Sequence, residues 1–390
     1  MALVNMQDLL GQAREDRYAI AALDVVSLDF VEAVVEAAEA CRAPIIISLA
    51  ESHFEHYDFE LLMSAVVTAA RRSTAPCAIH LDHGASLDSA TRAIRFGCNG
   101  VMVDASHRPI AENLALTREI VALARGCGVA VEGELGYVPG VEGEDAERHP
   151  GDVVYTTPDE ARTFVEETGV DCLAVSIGTI HGRMRGTPDL DLARLAEIAD
   201  AVAVPLVIHG GTGLTDEQFR GLIERGVAKI NYYTALADAA ADAIRSAAAA
   251  DPRAGYGRLT LAVRAAVRRE AERVIRLFGS AGRADAVLTR CRPWREVEHL
   301  ILFNADGDEA SVRAMKDEGR RCLGVLPGVR QALTGEAVKP DARYRHCWLI
   351  RFSGEPVIAA YDHHPEHLAF ADQRFRPVAG DRLKIDYELD

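Results

Sequence analysis

Eight short apolar runs, each followed by a segment of helical periodicity, occupy roughly the first 280 residues of this 390-residue chain. The runs are YAIAAL (18–23), PIIISLA (44–50), CAIHL (77–81), GVMVD (100–104), GVAVEGEL (128–135), DCLAVSI (171–177), VPLVIHG (204–210) and VAKINYY (227–233). Between them lie amphipathic segments such as LDFVEAVVEAAEAC and TDEQFRGLIERG, which open on acidic or hydroxyl residues and stop at glycine. Strands that alternate with helices pair in parallel, and eight repeats argue for a closed (β/α)8 barrel over an open sheet. Two further helical stretches, TALADAAADAIRSAAAA and RLTLAVRAAVRREAERVIRLFG, follow the eighth run and are separated by the Pro and Gly of DPRAGYG.

From about Glu296 the texture changes. VEHLILF, HCWLIRF and DRLKIDYEL alternate like strands, while DEASVRAMKDEGRRCL and AAYDHHPEHLAFADQRF read as helical. The predicted fold class is therefore α/β, a (β/α)8 TIM barrel over 1–284, a linker over 285–295, and a smaller α+β ferredoxin-like domain over 296–390.

The net charge of −16 disfavours nonspecific attraction to nucleic acid or an anionic membrane, so neither is expected as a partner. No apolar run approaches the roughly 20 residues of a membrane span. The start MALVNMQDLL lacks the basic and long apolar regions of a signal peptide. Eight scattered cysteines without a CxxC pair suit reduced, buried thiols. A cytoplasmic location is the expectation.

In such a barrel the chemistry gathers at the C-terminal strand ends. Here those ends carry HLDHG (80–84), DAS (104–106), VEGELG (131–136), IGTIHGRMRG (177–186) and HGGTG (209–213). His83, His181 and His209 come from three different ends and can converge on one mouth. Each alone could be a satisfied polar residue closing its strand. Together they match three imidazoles leaving an open position, the arrangement of catalytic zinc (Zn²⁺) or a similar divalent cation. His80 reads as a supporting residue. HGGTGLTDEQF is a Gly-rich turn opening onto a helix, whose N–H groups can cradle a phosphate, with Asn231 and Thr234 of the next strand end completing the cradle.

These motifs resemble those of the class II, metal-dependent ketose-bisphosphate aldolases, the fructose- and tagatose-bisphosphate aldolase family. HLDHG, GVAVEGELG, AVSIGTIHGRMRGTPDLD, VIHGGTGL, KINYYT and RLFGSAGRA match in order. The resemblance implies that His83, His181 and His209 are metal ligands, with Glu134 an acidic residue near the metal and Asp82 the acid/base beside the carbon–carbon bond. It implies that Gly182, Gly210, Gly211, Thr212, Asn231 and Thr234 hold dihydroxyacetone phosphate, the donor or product. A phosphorylated sugar and an aldehyde are then the substrates, and a monovalent cation is a further candidate cofactor beside the divalent one. The loop YVPGVEGEDAERHPGD (137–152) reads as a closing lid, in which Glu142 and Glu144 compete for a second acid/base role. Arg253 resembles an arginine that reaches the distal phosphate, and Arg185 stands where many relatives have Lys; either could be a solvated surface charge.

The chain departs from that pattern at Asp24, where an Asn is usual, at Ala50 in place of Ser, and at Tyr233 in place of Asp. The donor half looks retained and the aldehyde half altered. The C-terminal segment resembles the stress-responsive dimeric α/β-barrel family, carried by EHLILFNADGDEASV, LPGVRQALTGE, HHPEHLAFADQRFRPV and DRLKIDYEL. Members usually pair their sheets, which implies a homodimer or homotetramer. A few plant relatives are cyclases using His and Tyr, so His299, Tyr361, His363, His364 and His367 are of interest, although HHPEH also fits a helix start. Two other readings compete with the aldolase, namely a sugar-phosphate sensor on the same scaffold and a barrel metallohydrolase that activates water.

Overall fold

The computed structural model describes residues 2–148, 151–183 and 186–389. Eight parallel strands close in sequence order into a barrel: β1 (Ile20–Asp24), β2 (Ile45–Ala50), β3 (Cys77–Gly84), β4 (Gly100–Val103), β5 (Ala130–Leu135), β6 (Cys172–Val175), β7 (Leu206–Ile208) and β8 (Val227–Tyr232). The expected (β/α)8 fold class is the observed one. The helices between the strands start where the sequence supplies caps. Ser27, Asp58 and Asp191 accept from the first turns that follow them, and Thr157 and Thr215 form reciprocal capping boxes with Glu160 and Gln218.

Side chains alternate along a strand, so every second residue faces the barrel axis. The lowest layer is apolar and small, with Ala22, Ala78, Ala130 and Cys172 packed among Ile20, Ile46 and Val207. One step up, on the same faces, stand Asp24, His80 and Glu132; above the latter two come Asp82 and Glu134. The polar residues are thus lifted to the C-terminal mouth by strand period alone.

The barrel floor is closed by a helix the sequence pattern did not single out, Met6–Glu15, which inserts Met6, Leu9, Leu10 and Ala13. Residues 285–295, expected as a linker, hold the helix Ala284–Arg290, whose Val287 joins that same cluster together with Cys291. Arg292 pairs with Asp8 at 2.8 Å and Val4 bridges to Pro293. Burying Val287 and Cys291 removes apolar surface from water, which is the physical reason this stretch is ordered rather than free.

A second compact unit gathers Trp294 onward with Thr91–Gly97 and Ala122–Val129. It holds β9 (Val297–Ala305), β10 (Val329–Glu336), β11 (His346–Phe352) and β12 (Ala379–Glu388), antiparallel in the order β10-β11-β9-β12. With the helix Glu309–Leu323 and helices between β11 and β12, this is the expected ferredoxin-like arrangement. One face of the sheet buries Phe303, Trp348, Ile350 and Phe352. Its other face carries Leu300, Leu302, Leu333, Leu349, Leu383 and Ile385, which the register sets directly opposite one another in cross-strand pairs. Leu333 and Leu383 are exposed by more than two-fifths. All eight cysteines are free thiols. Among the described residues no helix is long and apolar enough to cross a membrane.

Candidate active site

Asp82 and His83 are consecutive, and a regular strand would send them to opposite faces. The backbone of His83 lies in the left-handed region (φ 44°), and the β3–β4 register slips between Leu81 and Gly84. That local twist, uncommon for a residue with a Cβ, turns both side chains toward the mouth. His209 follows β7 directly. His181 sits in the loop after β6, held by its N–H to the Pro139 carbonyl at 2.8 Å.

The three imidazoles meet. Their nearest ring nitrogens all lie within 4.8 Å of one another. His83 Nδ1 bonds Asp104 at 3.2 Å, His181 Nδ1 donates to the Val138 carbonyl at 3.2 Å, and His209 Nε2 bonds Glu132 at 2.8 Å. Each ring is thus oriented from behind, which leaves His83 Nε2, His181 Nε2 and His209 Nδ1 facing inward. His83 Nε2 and His209 Nδ1 are 2.9 Å apart, and His181 Nε2 has no hydrogen-bond partner among the described residues. Outer partners that fix tautomer and leave lone pairs convergent are the signature of a ligand set for a divalent cation, and the residues present fit one. Burial keeps His181 neutral, with its pKa pushed down to about 4, and holds His209 well below the usual range. Burial opposes charge on His83 as well, but the Asp82, Asp104 and Glu134 carboxylates outweigh it and push this ring up. The positive charge so favoured is one that a cation would supply.

Asp82 is fully buried and accepts a 2.8 Å hydrogen bond from Asn231 Nδ2. Asn231 Oδ1 in turn accepts from Lys229 Nζ at 2.6 Å. Burial alone would raise Asp82, yet His83, His209 and Lys229 hold its carboxyl below the usual range. Lys229 pairs with Glu132 at 2.7 Å, both side chains at zero exposure. His80 stands 3.7 Å from the same carboxylate, beneath the histidine cluster rather than in it. Glu134 lies on the outer side of His83, grouped with Asp104; burial and the Asp104 charge push it up.

The loop after β5 separates the two glutamates. Glu144 is exposed, whereas the Glu142 carboxyl is buried within 4.8 Å of the oxygens of Asp82 and Asp24. Burial and the Asp82 charge push Glu142 up to about 7. The loop is anchored by Gly143 N–H to Thr234 Oγ1 at 3.0 Å and by Arg183 to the Gly143 carbonyl at 2.8 Å. Gly182 (φ 84°) lies beneath it, where a Cβ would meet the Glu144 and Val141 carbonyls.

Gly210 also needs its glycine, since at φ 67° an added Cβ would sit 2.5 Å from the Ile180 carbonyl oxygen. With Gly211 and Thr212 it forms the turn before the helix Asp216–Glu224, and Gly211 lies against the Asn231 carbonyl. Arg253 is not brought into this cluster. It is exposed in the turn between two helices, its N–H bonded to Asp251. Arg185 lies outside the described residues. The sequence reading missed Glu132, Lys229 and the role of Asp104. The signal was present, because Glu132 stands two residues before Glu134 and Lys229 two before Asn231, the spacing of one strand face.

The family model for class-II fructose-bisphosphate aldolase matches residues 4–283. The chain belongs to the class II fructose-bisphosphate aldolase family. Its activity class is accordingly that of a class II aldolase, a carbon–carbon lyase. A second family model, the stress responsive A/B barrel domain, matches residues 297–389. A protein of Bacillus subtilis (strain 168) described as "Probable fructose-bisphosphate aldolase" is 38% identical over 288 residues, which span 73% of this chain and 100% of that protein. The crystal structure of the YdjI aldolase from Escherichia coli K12 superposes with a TM-score of 0.66 at 36% identity, covering 72% of this chain and 99% of the other. The fructose-bisphosphate aldolase of Campylobacter jejuni shares the fold (TM-score 0.62, 20% identity, 72% and 96% coverage).

In the C-terminal unit His299 Nδ1 bonds Asp386 at 2.6 Å, and the Tyr361 ring lies tilted against His367 with centroids 4.2 Å apart. His364 caps the helix Pro365–Phe370, accepting from the Glu366 N–H, and His363 Nδ1 bonds the Ala359 carbonyl. HHPEH is a helix start here.

Proposed function

We propose that the barrel makes and cleaves the carbon–carbon bond of a phosphorylated ketose, with dihydroxyacetone phosphate as donor or product and an aldehyde as the other partner. The observation that carries this reading is the meeting of three ligand-ready imidazoles with Asp82 at one mouth. His83, His181 and His209 would hold zinc or another divalent cation, which stabilises the negative charge developing on the donor oxygens. Asp82, ionised and aligned by Asn231, takes the proton of the C4 hydroxyl during cleavage and returns it during condensation. Gly210, Gly211, Thr212 and Thr234 line the donor phosphate, with Gly182 allowing the lid to close over them. Glu142, not Glu144, reaches the reacting region from the lid and exchanges the proton of the donor carbon. Water exclusion by that lid strengthens each of these contacts.

Asp82→Asn tests the assignment. Cleavage and condensation should slow by about 10²–10⁴-fold, while bound metal and the exchange of the donor-carbon proton with D2O persist. Near-normal condensation in that variant removes Asp82 from the mechanism. Binding of dihydroxyacetone phosphate with neither exchange nor condensation would instead favour a sensor.

The open leucine face of the C-terminal sheet is proposed to pair two chains into a homodimer or a homotetramer. A contiguous apolar sheet face is unstable in water and is relieved by symmetric pairing. Eight free thiols fit a reducing compartment such as the cytoplasm.

A further inference from the structure

The sector of the mouth between β8 and β3 is not used by the mechanism above. Asp24 ends β1 at zero exposure, and among the described residues its oxygens accept from no N–H or hydroxyl donor, their one polar neighbour in bonding reach being the Glu142 carboxyl. They face the Glu142 and Asp82 carboxyls within 4.8 Å. Both ring nitrogens of the buried His53 and the Tyr57 hydroxyl, from the segment after β2, are also without hydrogen-bond partners among the described residues. The His53 ring lies 4.3 Å from that of Tyr233, and Tyr57 and Tyr233 both sense the Asp24 charge. A buried polar group left unmade costs about 1–3 kcal/mol. A concentration of them beside reacting groups therefore points to a ligand that completes them.

The chemistry of that ligand follows from the groups. Carboxylates accept, while imidazole and phenol both donate and accept, so hydroxyl groups match every one. A phosphoryl dianion offers acceptors only and would meet three carboxyl groups. The cation with the largest electrostatic effect on Asp24 is Lys229, already paired with Glu132 at 2.7 Å. Burial, with the charges of Asp82 and Glu142, pushes Asp24 up, which suits a proton shared with Glu142 and hydrogen-bonded onward.

We propose that the aldehyde partner is a neutral hydroxyaldehyde without a phosphate, its distal hydroxyls held by Asp24, His53 and Tyr57. The ketose handled is then a monophosphate rather than a bisphosphate. This rests on the aldolase reading above.

The test uses full-length, zinc-loaded protein in two arms. Exchange of the dihydroxyacetone phosphate proton with D2O, followed by NMR without an aldehyde, reports the donor half; its absence defeats the aldolase reading itself. Given exchange, kcat/KM for condensation is compared for D-glyceraldehyde, D-glyceraldehyde 3-phosphate and lactaldehyde, which lacks the terminal hydroxyl. Glyceraldehyde should be preferred over each by at least about tenfold, a modest threshold for a site that hydrogen-bonds a hydroxyl, which can reject an analogue lacking it by about 10⁴–10⁵-fold. Asp24→Asn should shrink the preference over the phosphorylated aldehyde, and His53→Gln the preference over lactaldehyde, each by about tenfold. Equal or better use of glyceraldehyde 3-phosphate by the wild type, with exchange intact, overturns the proposal. So do unchanged ratios in both variants.

Discussion

Replacing Glu132 by Gln should cost the barrel stability and metal affinity together. The Glu132 carboxylate lies 2.7 Å from Lys229 Nζ and 2.8 Å from His209 Nε2, at zero exposure. Two unit charges at 2.7 Å attract by about 6 kcal/mol at an effective dielectric near 20, and desolvation offsets much of that. The loss is larger than the pair's net worth, because Lys229 is left charged with Asn231 as its remaining close acceptor; breaking one side of a buried pair costs about 3–5 kcal/mol. Lys229→Met should cost less, since Glu132 keeps His209. The double variant should fall short of the summed losses by about 2 kcal/mol or more, the coupling expected of contacting groups. Urea unfolding of metal-free protein, read by far-UV circular dichroism, measures this. Tryptophan emission would report the other unit, because Trp294 and Trp348 both lie there. Chelator competition should show zinc affinity down about 10–100-fold for Glu132→Gln, through lost orientation of His209, and less for Lys229→Met. Additive single losses, or full metal affinity in Glu132→Gln, would refute the argument.

Three other outcomes are expected. His209→Ala should lose bound metal and turnover together, since two imidazoles hold the cation poorly; elemental analysis showing full occupancy in an active variant would remove His209 from the ligand set. Glu142 must be ionised to accept the donor proton, so exchange in D2O should fall as pH drops through about 7. Glu142→Gln should abolish that limb, and a profile unchanged in the variant would exclude Glu142 as the base. Leu302→Asp on the open sheet face should lower the scattering mass while leaving donor-proton exchange measurable, and an unaltered mass would exclude that face as the chain-pairing surface.

The barrel was legible because strand burial and helix capping are local. Eight apolar runs of the right length, each followed by a capped amphipathic helix, leave little else for the chain to do. The three histidines were legible for the same reason, since each follows a countable strand and strand ends of a closed barrel share one mouth. What one dimension could not carry was orientation. His80 and His83 are three residues apart, yet a slipped register and one left-handed residue put His83 in the cluster and leave His80 below it against Glu132. Glu142 and Glu144 differ by two positions in an irregular loop, where no period assigns a face; the anchors to Thr234 and Arg183, residues some 40 to 90 positions away, decide which carboxyl is buried. Residues 285–295 looked like a linker because a seven-residue helix has too few apolar positions to show a stripe. Val287 and Cys291 become core only when the helix Met6–Glu15 meets them from the other end of the chain. Local pattern determines elements, whereas long-range contact determines which side chains lose water, and the charges of this site follow from the second.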